Sequence, residues 1–85
     1  MAIKLLKLSD GCVSLEFDPS DLPRVAAAIN DKFGKPGENE YVTSTVYIFG
    51  GFEFIFQNEW DDHCLISRSD GGNQVLKVLY EMLMA

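Results

Sequence analysis

Phe52, Phe54 and Phe56 fall on every second residue directly after Gly50-Gly51, and this spacing constrains the fold more than any other feature. A strand turns successive side chains to opposite faces, so three rings spaced by two share one face. Ile55 shares the other face with Glu53 and Gln57. The Gly-Gly pair offers the positive φ that a two-residue hairpin turn demands. The stretch from Tyr41 to Phe49 is aromatic or β-branched with little interruption, so the spacing predicts a hairpin across Gly50-Gly51. A face carrying three phenylalanines has to be covered, and the helices of the chain are expected to cover it while the opposite face stays partly wet.

Ile3 to Leu8 reads as a first strand, followed by the turn signal Asp10-Gly11. Val13, Leu15 and Phe17 then alternate with Cys12, Ser14 and Glu16, the pattern of a half-buried strand. Asp18-Pro19-Ser20-Asp21 interrupts the alternation and opens a helix. Leu22, Val25, Ala26, Ile29 and Phe33 recur at helical spacing, one apolar stripe that Gly34 terminates. Gly34 to Asn39 reads as a loop. Asn58 to Asp62 is the next expected turn, His63 to Arg68 a short strand, and Asn73 to Met84 a last helix entered through Ser69-Asp70-Gly71-Gly72. The expected order is β-β-α-β-β-β-α. It implies an α+β fold, a five-stranded antiparallel sheet with two helices packed on one face.

The last helix is apolar nearly all round. Val75, Leu76, Val78, Leu79, Tyr80, Met82, Leu83 and Met84 are interrupted only by the charges of Lys77 and Glu81. A helix lying on a sheet needs an apolar stripe, not an apolar circumference. The surplus is expected either to be buried between sheet and first helix or to meet a second copy, with Val75, Leu76, Leu79, Tyr80 and Leu83 forming a homodimer interface.

At 85 residues the chain is one domain, 1–85, since so short a chain cannot divide its apolar residues between two cores. Its net charge of −6 opposes binding to a polyanion, and its seven cations are scattered, so no nucleic-acid partner is expected. A basic protein partner suits the charge better. The N-terminal run is broken by Lys4 and Lys7 and does not read as a secretory signal, and no apolar stretch is long enough to span a membrane. Cys12 and Cys64 lack the close pairing of a zinc or redox motif and read as reduced thiols of a cytoplasmic protein.

Chemistry-bearing residues concentrate in Glu59-Trp60-Asp61-Asp62-His63-Cys64. Adjacent His63 and Cys64 point to opposite faces of a strand, and the acids lack the spacing of a calcium loop, so no metal is expected there. Trp60 among Glu59, Asp61 and Asp62 is instead a candidate partner-binding turn, because Trp dominates binding hot spots. The same Trp60 can also fold back onto the sheet edge to complete the core. No nucleophile, base and orienting group recur at useful spacing, and no cofactor motif is present. The reading is a small noncatalytic acidic protein-binding domain of inhibitor, immunity or adaptor type. The alternative is a structural subunit that self-assembles through its last helix. An enzyme built on a cysteine or on carboxylates ranks third.

Overall fold

The computed structural model describes residues 3–41, 45–59 and 62–84. The fold is α+β, with one antiparallel sheet and two helices. The strands are β1 (Lys4–Lys7), β2 (Val13–Phe17), β3 (Gly37–Glu40), β4 (Thr45–Phe49), β5 (Phe52–Glu59) and β6 (Asp62–Ser67), and the helices are α1 (Leu22–Phe33) and α2 (Asp70–Met84). A short 3-10 turn, Pro19–Asp21, leads from β2 into α1. The sheet order is β1-β2-β6-β5-β4-β3, every neighbouring pair antiparallel.

Among the described residues the strand count is six, not the expected five. The added strand is β3, which lies in the stretch expected to be a loop. Its four residues are all exposed, and it pairs with β4 from Gly37↔Ile48 to Glu40↔Thr45. A strand at the rim of a sheet buries no face, so it needs only backbone pairing and carries no apolar alternation. Two boundaries also move. α2 begins at Asp70 rather than near Asn73, because the Ser69 hydroxyl accepts a hydrogen bond from the Gly72 N–H at 3.1 Å and caps the helix early. β5 continues to Glu59 and β6 starts at Asp62, with Glu59 and Asp62 in register, so the pairing consumes most of the expected turn.

The two glycine signals at the central turns hold. Gly50 and Gly51 both take positive φ, 62° and 84°, and close the β4–β5 hairpin. Gly34, at φ 83°, ends α1 and donates its N–H to the Asn30 carbonyl at 3.0 Å.

Register explains where the core sits. One row crosses all six strands as Leu5, Leu15, Leu65, Phe56, Thr45 and Glu40. The next row on the same face runs through Ser67, Phe54, Tyr47 and Glu38. Both helices pack against these rows, with Val25 and Ile29 of α1 and Leu76, Leu79 and Leu83 of α2 in the same continuous core. At its centre Phe54 is fully buried and stacks on Phe49, ring centroids 4.2 Å apart. The opposite face carries the row Leu6, Ser14, Ile66, Ile55, Val46 and Asn39. Val46 is buried there yet lies outside the main core.

A polar tie joins the β1–β2 hairpin to α2. The buried Ser67 hydroxyl accepts the Val13 N–H at 2.9 Å and donates to Asn73 Oδ1, while Asn73 Nδ2 donates to the Gly11 carbonyl at 3.0 Å. These bonds satisfy backbone groups that the hairpin loop leaves over.

The apolar circumference of α2 divides into a buried and an exposed side. Leu76, Leu79 and Leu83 are buried within the chain, and Val75 and Tyr80 pack half-buried against the same core. Val78 and Met84 are the large apolar side chains that α2 leaves exposed. Leu79→Ala should therefore lower stability by about 3 kcal/mol, the loss of a fully buried leucine. Val78→Ala should change it by less than about 0.5 kcal/mol. Urea denaturation of the two variants measures both, and equal small effects would contradict the packing described.

Candidate functional site

The helix-face rows change character at the β3 rim. Running outward from the core, Phe56 gives way to Thr45 and then Glu40, and Phe54 to Tyr47 and then Glu38. Inward of this rim, over Leu65, Phe56 and Tyr47, α1 faces the sheet. Between them opens an apolar groove with a cavity of about 80 Å3. Its inner wall is formed by the buried Phe17, Val25, Ile29 and Leu65. Its mouth is bounded by the exposed Leu22 and Ala26 on one side and by the half-buried Pro36, Tyr47 and Phe56 on the other.

The local sequence dictates this arrangement. Leu22, Val25, Ala26 and Ile29 belong to one helical stripe. Only Val25 and Ile29 are buried, and Leu22 is 39% exposed. A stripe that is half unburied signals that the surface beneath it is missing. Pro36 then fixes the chain as it enters β3 and brings the acidic strand beside the groove.

The β3 rim carries two carboxylates beside the groove. Glu38 and Glu40 are exposed, and neither has an ion-pair partner among the described residues. Tyr47 is the register partner of Glu38. Desolvation, then the hydrogen bond and charge of Glu38, then the charge of Glu40, push the Tyr47 phenol above its ordinary range. The opposite sheet face is balanced by comparison. Lys4 is the register partner of Glu16, and Arg68 meets Glu53 at 3.5 Å.

Two buried polar atoms have no hydrogen-bond partner among the described residues, His63 Nδ1 and Asp21 Oδ2. The His63 ring packs on Phe17 and Phe56, both groove residues, with centroids 5.8 and 5.2 Å away. Asp21 directly precedes Leu22 and meets Arg24 through its other oxygen at 3.8 Å. Native proteins hold few such atoms.

Trp60 and Asp61 lie outside the described residues. Glu59 and Asp62 are described through their backbones, which are paired where β5 meets β6. His63 and Cys64 point to opposite faces as expected. His63 is buried on the helix side, while the Cys64 thiol donates to Gln57 Oε1 at 3.8 Å. Cys12 sits in the β1–β2 loop, where its N–H donates to Asp10 Oδ1 at 3.0 Å. Desolvation, followed by the Asp10 carboxylate, pushes the Cys12 thiol above its ordinary range, which disfavours the nucleophilic thiolate. The sequence reading missed the groove. Its signal was present in Leu22 and Ala26, which complete the stripe on α1 without a sheet residue to receive them.

Comparison with known proteins finds no matching family model, no matching curated protein and no matching solved structure. Among the described residues no helix is long and apolar enough to cross a membrane.

The raised Tyr47 phenol sets a pH dependence with a definite sign. The fold favours the neutral phenol, so this contribution is fully present below about pH 10, the unfolded value, and is lost as pH rises through the folded value. Glu38→Gln removes the charge and leaves only a weaker, neutral acceptor, and should move the phenol back toward the ordinary range. The difference in phenolate absorbance between wild type and Tyr47→Phe isolates this group. An unchanged titration in Glu38→Gln would contradict the assigned cause.

Proposed function

We propose that this chain is a noncatalytic protein-binding domain whose partner is basic, and that it binds through the groove between α1 and the β3 rim. One observation carries the reading. An apolar groove with an open mouth lies directly beside two exposed carboxylates that have no cation of their own among the described residues. An apolar anchor flanked by charge is the usual anatomy of a binding hot spot, in which the buried contact supplies affinity and the charged rim supplies orientation and encounter rate. The net charge of −6 adds long-range attraction for a basic protein.

Size argues for a protein side chain over a free small molecule. Pockets for drug-sized ligands run to about 300 Å3 or more, and a cavity of about 80 Å3 holds little beyond one aliphatic group. The acidic turn around Trp60 is a second candidate surface for the same kind of partner.

Capture of binding proteins from cell extract separates the two surfaces. The wild type, a Glu38→Lys/Glu40→Lys variant and a Trp60→Ala variant are compared, with captured proteins identified by mass. The expected outcome is a protein with a basic surface that is lost from the Glu38/Glu40 variant and retained by Trp60→Ala. Loss from Trp60→Ala alone would move the site to the turn. Equal capture by all three would contradict both.

A further inference from the structure

β3 ends the sheet, and among the described residues no strand pairs with its outer side. A strand bonded on one side presents a row of unpaired N–H and C=O groups on the other, which is a template for one more strand. Natural edges are blunted with Lys, Pro, bulges or shortness. β3 has a proline before it and carboxylates along it, so it repels a second copy of itself while remaining open to a basic strand. The groove lies on the same face as Glu38 and Glu40, with Leu65 and Phe56 in the row of Glu40, Tyr47 in the row of Glu38, and Pro36 at the entry to the strand.

Resting on the protein-binding reading above, we propose that β3 accepts an extended segment of the partner as a seventh, antiparallel strand, with the pattern Lys/Arg-x-Lys/Arg-x-aliphatic. The register follows from geometry. In an antiparallel pair the incoming chain runs from Glu40 toward Pro36. Residues two apart share a face, so the first two cations meet Glu40 and Glu38 across the strands. The third residue on that face then lies level with Pro36, which lines the groove. A leucine or similar side chain suits a cavity of about 80 Å3. The intervening residues point to the opposite face, toward the side of Asn39.

The chain's own basic edge does not meet this pattern. Lys4 and Lys7 of β1 fall on opposite faces of their strand, since Lys4 pairs with Glu16 and Lys7 with Val13. A second copy docking through β1 would bring one lysine to the acids and leave the other on the wrong side. Charge and register together favour a different protein over self-assembly.

The test uses the full chain and a capped peptide, Thr-Lys-Thr-Lys-Thr-Leu-Thr, with a control in which both lysines are glutamate. Nuclear magnetic resonance titration reads binding, and amide exchange reads strand addition. The proposal expects saturable binding of the lysine peptide, slowed exchange at the outward N–H groups of β3, and shifts at Ala26 and Tyr47. Glu38→Lys/Glu40→Lys should weaken binding by at least about tenfold, because two attractive cross-strand pairs become repulsive. Both positions are exposed, and an unchanged circular dichroism spectrum confirms that the variant folds. Equal binding of the glutamate control, or binding with no protection of β3, would overturn the strand mode. If the captured partner still depends on Glu38 and Glu40 in that case, the protein-binding reading survives and only the strand mode fails. Sedimentation showing that the free chain self-associates through β3 would also overturn the proposal, since a second copy would then be the occupant.

Discussion

Two helices cannot roof six strands, and the rest of the molecule follows from that mismatch. Strands repeat at roughly 4.8 Å, so six of them span about 24 Å between the outer pair. Two packed helices with axes about 8–10 Å apart cover about 20 Å at most. The cover is placed where the phenylalanines and leucines are densest, over β2, β6 and β5, with Phe54 on Phe49 and Leu15 beside Leu65. The deficit falls on the β4–β3 side. There the helix-face rows switch from Phe to Thr or Tyr and then to Glu, so little apolar surface is left bare. The groove under α1 opens inward of that margin, over Leu65, Phe56 and Tyr47. A void of about 80 Å3 costs on the order of 2 kcal/mol when closed, and the open mouth reduces that figure.

The function proposed for the chain is the chemical use of this deficit. The same acids that make β3 tolerable in water at the sheet rim also give it a preference for cationic strands. The same gap that weakens the packing of α1 provides a seat for one apolar side chain. Backbone pairing, charge and anchor then act at one place, and none of the three requires a catalytic group. The raised Cys12 thiol fits such a role, since a protonated thiol beside Asp10 takes part in packing more readily than in attack.

Much of the fold was legible because the period-2 and period-3.6 patterns agree with burial. Phe54 and Leu15 mark the covered face, Gly50-Gly51 and Gly34 mark the turns, and Val25 with Ile29 marks the inner side of α1. β3 was not legible. Gly37-Glu38-Asn39-Glu40 has the composition of a loop, and an edge strand gains its place through backbone bonds that leave no trace in side-chain pattern. The surplus apolar residues of α2 admit burial within the chain or against a second copy, and the chain itself buries Leu76, Leu79 and Leu83. Periodicity cannot tell a helix wedged between a sheet and another helix from one that meets a partner. The groove was half legible. Leu22 and Ala26 completed a stripe, but whether sheet lies beneath them depends on how far α1 extends over β4, which is a property of the assembled fold.

Urea denaturation of Ala26→Leu, with and without the peptide Thr-Lys-Thr-Lys-Thr-Leu-Thr, distinguishes a groove that seats an apolar side chain from a passive gap. Ala26 lines the groove at its mouth, and a leucine there fills the space from the helix side without breaking helix propensity. The account predicts that the variant alone is about 1 kcal/mol more stable than wild type, as for other cavity-filling changes. It also predicts that the peptide, which raises the wild-type midpoint by binding the folded state, leaves the variant's midpoint unmoved. A variant no more stable than wild type whose midpoint still rises with peptide would show that the groove is neither a packing deficit nor a binding site.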